Sequence, residues 1–433
     1  MIVGWILIGL LILVAAAVPV AAVLGVLSFT LDEIHMGGRI QFGIGEIIWE
    51  KSKEFILVAV PLFILLGEIM LRAGIARRMY GAVVQWLSWL PGGLMHANIG
   101  SCTIFAASSG SSVATAATVG TVAYPEIQKR NYNESLFLGS IAAGGTIGIL
   151  IPPSINLILY GLLTDTSVPE LYLAGIIPGI ILSTLFMTVI VGACIFKKEW
   201  GGEKVKTSWS ERWSTLPHLL PPILLFCAVV GSIYAGIATP TEAASIGVVM
   251  ALIIAAVFKT LSWSMLRDAF EGTMRTTAMI MIIVFAAIFL NVVLGFMGIT
   301  QSMLNFIRDL GISPIETILL LVLFYLLIGM FMETLSMMLT TVPVVFPIVM
   351  ALGVPEFSDV WFGILITLLM EAALITPPIG VNLYVVQGIR TRGGKFNDVA
   401  KGAIPFVFAM LAMIFLLIWN PSIATWLPNL VYH

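Results

Sequence analysis

Two hydrophobic stretches about 225 residues apart read as copies of one another, and each carries a proline pair in the middle of a span. In the first, Gly148-Ile149-Leu150-Ile151 meets Pro152-Pro153, followed by Asn156, Tyr160 and Gly161. In the second, Ala373-Leu374-Ile375-Thr376 meets Pro377-Pro378, followed by Asn382, Tyr384 and Gly388. A proline pair removes two backbone donors from a helix and leaves upstream carbonyls unpaired. At bilayer depth that is tolerated only where protein, water or an ion satisfies them. Two such breaks, one per repeat, are the pattern of a secondary transporter.

A chain that is 59% hydrophobic and 10% charged, with a mean hydropathy of +1.07, cannot fold as a water-soluble globule; it reads as an all-α polytopic membrane protein. The first apolar run, residues 2–29, lacks a cationic start and is too long for a signal-peptide core, so it reads as a retained helix. Cys102, Cys194 and Cys227 have no paired spacing, and His35, His96, His218 and His433 form no ligand pattern. A net charge of −2 carries no nucleic-acid signal.

Apolar runs of about 20 residues place crossings near 2–29, 54–71, 134–163, 169–196, 216–236, 239–258, 273–297, 358–389 and 403–427. Two regions do not fit as single crossings. Residues 93–124 are split by the run Ser108-Ser109-Gly110-Ser111-Ser112, and residues 314–352 by Glu333-Thr334-Leu335-Ser336 and Thr340-Thr341. Each is long enough to enter, turn near the midplane and leave by the same side, which makes both re-entrant hairpins. With nine crossings and two hairpins, 17 of the 21 basic residues fall on one face, leaving Arg39, Lys51, Lys53 and Arg308 opposite. The positive-inside rule then puts the N-terminus in the cytoplasm and the C-terminus in the periplasm.

That topology organises the chain as a helix and interfacial arm (1–53), a first repeat (54–196), a cytoplasmic linker (197–215), scaffold helices with a second arm (216–272) and a second repeat (273–433). The arms are the mixed apolar and charged segments 32–53 and 260–272. Gly74-Ile75-Ala76 and Gly298-Ile299-Thr300 open matching amphipathic segments, while Tyr124-Pro125 and Phe346-Pro347 close the hairpins. On the charge-derived topology the first hairpin enters from the cytoplasm and the second from outside, so the repeats are inverted.

The candidate chemistry sits at the tips and breaks. Ser108, Ser109, Ser111 and Ser112 surround Gly110, so unwound backbone there could aim hydroxyls and carbonyls at one point. With Gly145, Gly148 and Pro152 these residues form a candidate site for Na+, which takes neutral oxygen ligands. Helix packing by small residues is the competing reading. The second-half equivalent is Gly329, Ala373, Thr376 and Pro377. A substrate site is expected from Ser112, Asn156, Glu333, Thr334, Ser336, Thr340 and Asn382, with the helices that restart at the breaks offering partial positive charge to an anion. Each Asn could instead satisfy backbone freed by its break. Glu333 and Glu371 are acids at hydrophobic depth, open to a coupling role or a structural one. Glu68, nearer a helix end, reads as structural.

The run Gly236-Ile237-Ala238-Thr239-Pro240-Thr241-Glu242-Ala243-Ala244, with Ile151-Pro152-Pro153-Ser154 and Ile375-Thr376-Pro377-Pro378-Ile379-Gly380, resembles the large membrane subunit of tripartite ATP-independent periplasmic (TRAP) transporters over essentially the whole chain. The resemblance implies an inverted-repeat, elevator-type transporter of the bacterial inner membrane that is not an enzyme and has no organic cofactor. It would import a carboxylate such as a C4-dicarboxylate or sialic acid with Na+ as coupling ion. The implied partners are a small four-helix membrane subunit and a periplasmic substrate-binding protein. Because the chain starts directly at the large subunit, the unfused form is expected. The rival reading is a self-sufficient ion-coupled anion antiporter of the same architecture.

Overall fold

The computed structural model describes residues 9, 12–13, 16 and 18–432, except residues 204, 206 and 392 and the side chains of Ala107, Ser108 and Arg308. Among the described residues the regular structure is helical, apart from one isolated bridge between Tyr132 and Gly201. Among the described residues, six helical stretches are long and apolar enough to cross a membrane: Phe55–Arg72, Val168–Phe196, Trp209–Tyr234, Pro240–Val257, Trp263–Phe296 and Phe396–Trp419. Part of the expected 2–29 crossing lies outside the described residues, and residues 20–29 belong to a helix at Val20–Met36.

The same series of elements appears twice. Helix Ala59–Arg72 is followed by the amphipathic helix Ile75–Leu87, the pair Leu94–Ser109 and Ser112–Ala123, the broken pair Glu134–Thr146 and Ile155–Thr164, and the long helix Val168–Phe196. The second series is Trp263–Phe296, then Ile299–Asp309, the pair Pro314–Gly329 and Thr334–Met350, the broken pair Asp359–Ile375 and Val381–Gly388, and Phe396–Trp419. Each amphipathic helix starts after a glycine in the left-handed region, Gly74 at φ 69° and Gly298 at φ 63°, a conformation that side chains resist.

The breaks form where the prolines require them. Helix Glu134–Thr146 tightens into the 3-10 turn Ile147–Ile149, meets the cis Pro152-Pro153 bond, and restarts at Ile155 under the cap of Ser154. Its counterpart ends at Ile375, passes the cis Pro377-Pro378 bond and restarts after Gly380. Helices Glu134–Thr146 and Phe396–Trp419 pack together through glycines. A Cβ on Gly139 would overlap the Gly402 carbonyl, and one on Gly402 the Ser135 carbonyl. Such close approach lets backbones pack without side chains between them. At the same junction Arg390, almost fully buried, donates to Glu134 Oε1 from Nη2 at 2.7 Å and from Nε at 3.1 Å.

Several boundaries differ from the sequence reading. The separate arm 260–272 and span 273–297 form one helix, Trp263–Phe296, since nothing in Arg267 to Arg275 breaks its hydrogen-bond ladder. At 34 residues it is about 51 Å long, more than a hydrocarbon core of about 30 Å needs. The first arm shrinks to Ile44–Ser52, because Val20–Met36 continues to the left-handed Gly37. The span 403–427 divides at Asn420-Pro421 into Phe396–Trp419 and Ser422–Tyr432. The second hairpin runs through Pro347 to Met350 instead of closing at Phe346-Pro347.

Candidate functional site

The first hairpin turns at Gly110, whose φ of 57° ends one helix, and at Ser111, whose hydroxyl accepts from the Ala114 amide to start the next. This tip is wedged among three elements by glycines. A Cβ on Gly67 would stand 2.9 Å from the Ser109 carbonyl oxygen, one on Gly110 3.2 Å from the Pro153 oxygen, and one on Gly148 3.0 Å from the Ser111 oxygen. Ser109 and Thr115 hydroxyls share a 2.7 Å hydrogen bond, and Ser112 Oγ donates to the Thr146 carbonyl at 3.3 Å. A Cβ on Gly145 would stand 3.1 Å from the Ser112 oxygen. Ser109, Ser111, Gly145 and Gly148 thus converge beside the break that contains Pro152, with Thr115 as an added hydroxyl. The Ser108 side chain lies outside the described residues.

The second-half set converges less. Gly329 lets Ala373 approach so closely that a Cβ would overlap it. Thr376 caps its own helix instead, donating from Oγ1 to Ala372 at 2.6 Å and from its amide to Ala373 at 3.3 Å. Those carbonyls, expected to be freed by the break, are engaged by the residue before it. Thr376 and Pro377 are partly exposed.

Both tips open onto one cavity of about 160 Å³. It brings Ser109, Ser111, Ser112 and Asn156 of the first half together with Glu333 and Thr334 of the second. Asn156 is 2% exposed and its Nδ2 has no hydrogen-bond partner among the described residues, which leaves a buried donor open to an acceptor. Glu333 caps the helix Thr334–Met350, accepting from the Ser336 amide at 3.2 Å and from Thr334 Oγ1 at 3.3 Å. A carboxylate suits that helix N-terminus.

Three expected substrate residues stand elsewhere. Ser336 spends its amide on Glu333 and its carbonyl on Thr340 Oγ1. Thr340 lines a different, apolar cavity. Asn382 is fully buried and donates to the Ala142 carbonyl at 3.2 Å, so the second restarting helix braces the first broken helix. The cavity wall also includes Gly67 and Thr276, which the sequence did not single out, and Glu68, which it read as structural. Glu68 pairs with Arg72 one turn away. The matching i,i+4 spacing was a visible sign of that pair but not of the cavity.

Residues 7–423 match the family described as tripartite ATP-independent periplasmic transporter, DctM component. The C4-dicarboxylate TRAP transporter large permease protein of Pseudomonas aeruginosa is 33% identical over 383 residues, covering 88% of each chain. The ectoine TRAP transporter large permease protein of Halomonas elongata is 33% identical over 378 residues, covering 87% of each. In fold, the chain is similar to the crystal structure of the Alcanivorax borkumensis YdaH transporter, with a TM-score of 0.62 at 15% identity, over 96% of this chain and 98% of that one.

Proposed function

The chain belongs to the tripartite ATP-independent periplasmic transporter family as a DctM component, and on that premise we propose that it is the large membrane subunit of a sodium-coupled importer of small carboxylates. One observation carries the reading. The cavity between the hairpin tips offers hydroxyls, the Asn156 amide and two carboxyl groups, and among the described residues no basic one lines it. Glu68 is offset by Arg72, but Glu333 has no cationic partner among the described residues. An anionic substrate entering beside it would face uncompensated like charge in a poorly hydrated space. A bound cation removes that conflict, and the neutral oxygens of Ser109, Ser111 and Thr115 beside Gly148 are the ligand type that sodium takes.

In this mechanism sodium binds first at the hairpin tips, the carboxylate enters beside it, and Asn156 and the helix N-termini orient the anion. The two hairpins and broken helices then carry the site past the static helices, as an elevator. Substrate arrives from a periplasmic binding protein, and a small membrane subunit braces the scaffold. The equal identity to permeases named for C4-dicarboxylate and ectoine leaves the carboxylate as the shared chemical feature. The test is uptake into liposomes holding the chain and its small subunit, with binding protein, a panel of dicarboxylates, sialic acid and ectoine, and an inward sodium gradient. Uptake should vanish when choline replaces sodium and when binding protein is omitted. Uptake that persists in choline removes the coupling, and uptake without binding protein supports a self-sufficient exchanger.

A further inference from the structure

A cavity of about 280 Å³ lies between helix Trp263–Phe296, the amphipathic helix Ile299–Asp309 and both limbs of the second hairpin. That is nearly twice the roughly 150 Å³ apolar cavity that suffices for a benzene molecule. Its wall is hydrocarbon and sulfur from Leu294, Met303, Phe306, Leu320, Phe324 and Val344, among others. Three threonines also face it, and each hydroxyl is spent within its own helix. Thr317 donates to the Ser313 carbonyl at 3.0 Å, Thr340 to Ser336 at 2.7 Å and Thr341 to Met337 at 2.7 Å. Thr341 also accepts from the Tyr325 hydroxyl at 2.6 Å. A space with no polar group to offer holds water poorly and takes an apolar occupant.

We infer that this cavity is a seat for one acyl chain of a bilayer phospholipid. Its mouth is continuous with the outer apolar surface. Phe306, Leu310 and Leu320 line the cavity and are each more than half exposed, and Phe296, Leu319 and Leu323 extend the same surface. In a multi-span membrane protein that surface meets lipid chains, so the occupant enters sideways from the bilayer. The roof fixes which part of the lipid sits where. Helix Ile299–Asp309 buries Ile299 and Leu304, while Gln301, Ser302, Asn305 and Asp309 are exposed. A helix with those two faces lies at the boundary of hydrocarbon and headgroups, so a chain beneath it keeps its headgroup at the polar edge. The seat lies on the outer side of the hairpin, and Thr340 belongs to it instead of to the substrate cavity.

The experiment uses the full chain in vesicles containing a phosphatidylethanolamine with a photoreactive group along one acyl chain. Protein is extracted into detergent, which strips loosely bound lipid, and only then irradiated. Cross-links should map to residues 303–312 and 320–324. They should be lost in Val344→Phe and in Met303→Trp, which fill the cavity from opposite walls, provided each variant elutes as the wild type does. Labels spread evenly over the exposed face of Val168–Phe196 overturn the proposal, as do labels unchanged in both filling variants. Loss of labelling when the wild type binds its small membrane subunit assigns the cavity to a protein helix and also overturns it. The wild-type label map decides the matter even where a variant fails to fold.

Discussion

At the scale of single residues, the molecule keeps polar groups that its packing alone does not require. Glu371 is fully buried against the backbone of Ile149 at the first break, and neither carboxyl oxygen has a hydrogen-bond partner of ordinary geometry. An unsatisfied buried polar group costs about 1–3 kcal/mol, and such a cost persists where a site uses the group. Glu371→Leu should therefore raise the thermal midpoint of the purified protein while lowering uptake; a variant that transports normally would make Glu371 a packing residue. Gly67 works by what it lacks, because it admits the Ser109 carbonyl to helix Ala59–Arg72. An added methyl there should cost about 1–3 kcal/mol through overpacking. Gly67→Ala should impair uptake, whereas Gly81→Ala, which would meet nothing within 4 Å, should not. Equal uptake by the two variants would show that the tip does not depend on this contact.

At the scale of elements, the first break is held by Ser154. Its hydroxyl donates to the Ile149 carbonyl across the proline pair and accepts from the Leu157 amide, joining the broken halves. Loss of an N-cap typically costs about 0.5–2 kcal/mol. Ser154→Ala should lower the thermal midpoint by an amount of that order, and Ser154→Thr should largely restore it. An unchanged midpoint in the alanine variant would mean that the prolines alone define the break. The breaks, tips and amphipathic starts were legible in the sequence, since Pro, Gly and Ser act on the backbone within a few residues. The continuity of Trp263–Phe296 was not legible, and a separate second arm at 260–272 was expected in its place. Arg267, Asp268, Glu271 and Arg275 break the hydropathy of Trp263–Phe296 but not its helix, because charged side chains at a helix end can face water without disturbing its backbone.

At the scale of the whole molecule, the two series of elements are joined by Arg390, which closes the end of the second broken helix onto Glu134 at the start of the first. The sequence around this junction holds six basic residues, Arg390, Arg392, Lys395 and Lys401 with Lys129 and Arg130, and Lys129 lines a surface pocket with Ile389 and Thr391. From the charge segregation we propose that this end faces the cytoplasm. Cysteine introduced at Lys395 should be protected from a membrane-impermeant reagent in intact cells, and cysteine at Glu356 should react. Both positions are exposed in the fold, so shielding at Lys395 would report the membrane and not burial. The reverse pattern would overturn the proposed orientation.

The sequence by itself determined that the chain spans a membrane, that its elements repeat, and where each repeat breaks and turns. Those properties follow from composition and from backbone chemistry that is local in the chain. Only the tertiary structure decided which polar residues share a cavity. It brings Glu68 and Thr276 to the tips, turns Thr340 to a hydrocarbon pocket, and spends Asn382 on Ala142, 240 residues away. No local pattern encodes those choices, because each depends on how two halves far apart in sequence pack together. The glycines at positions 139 and 402 set how near they come.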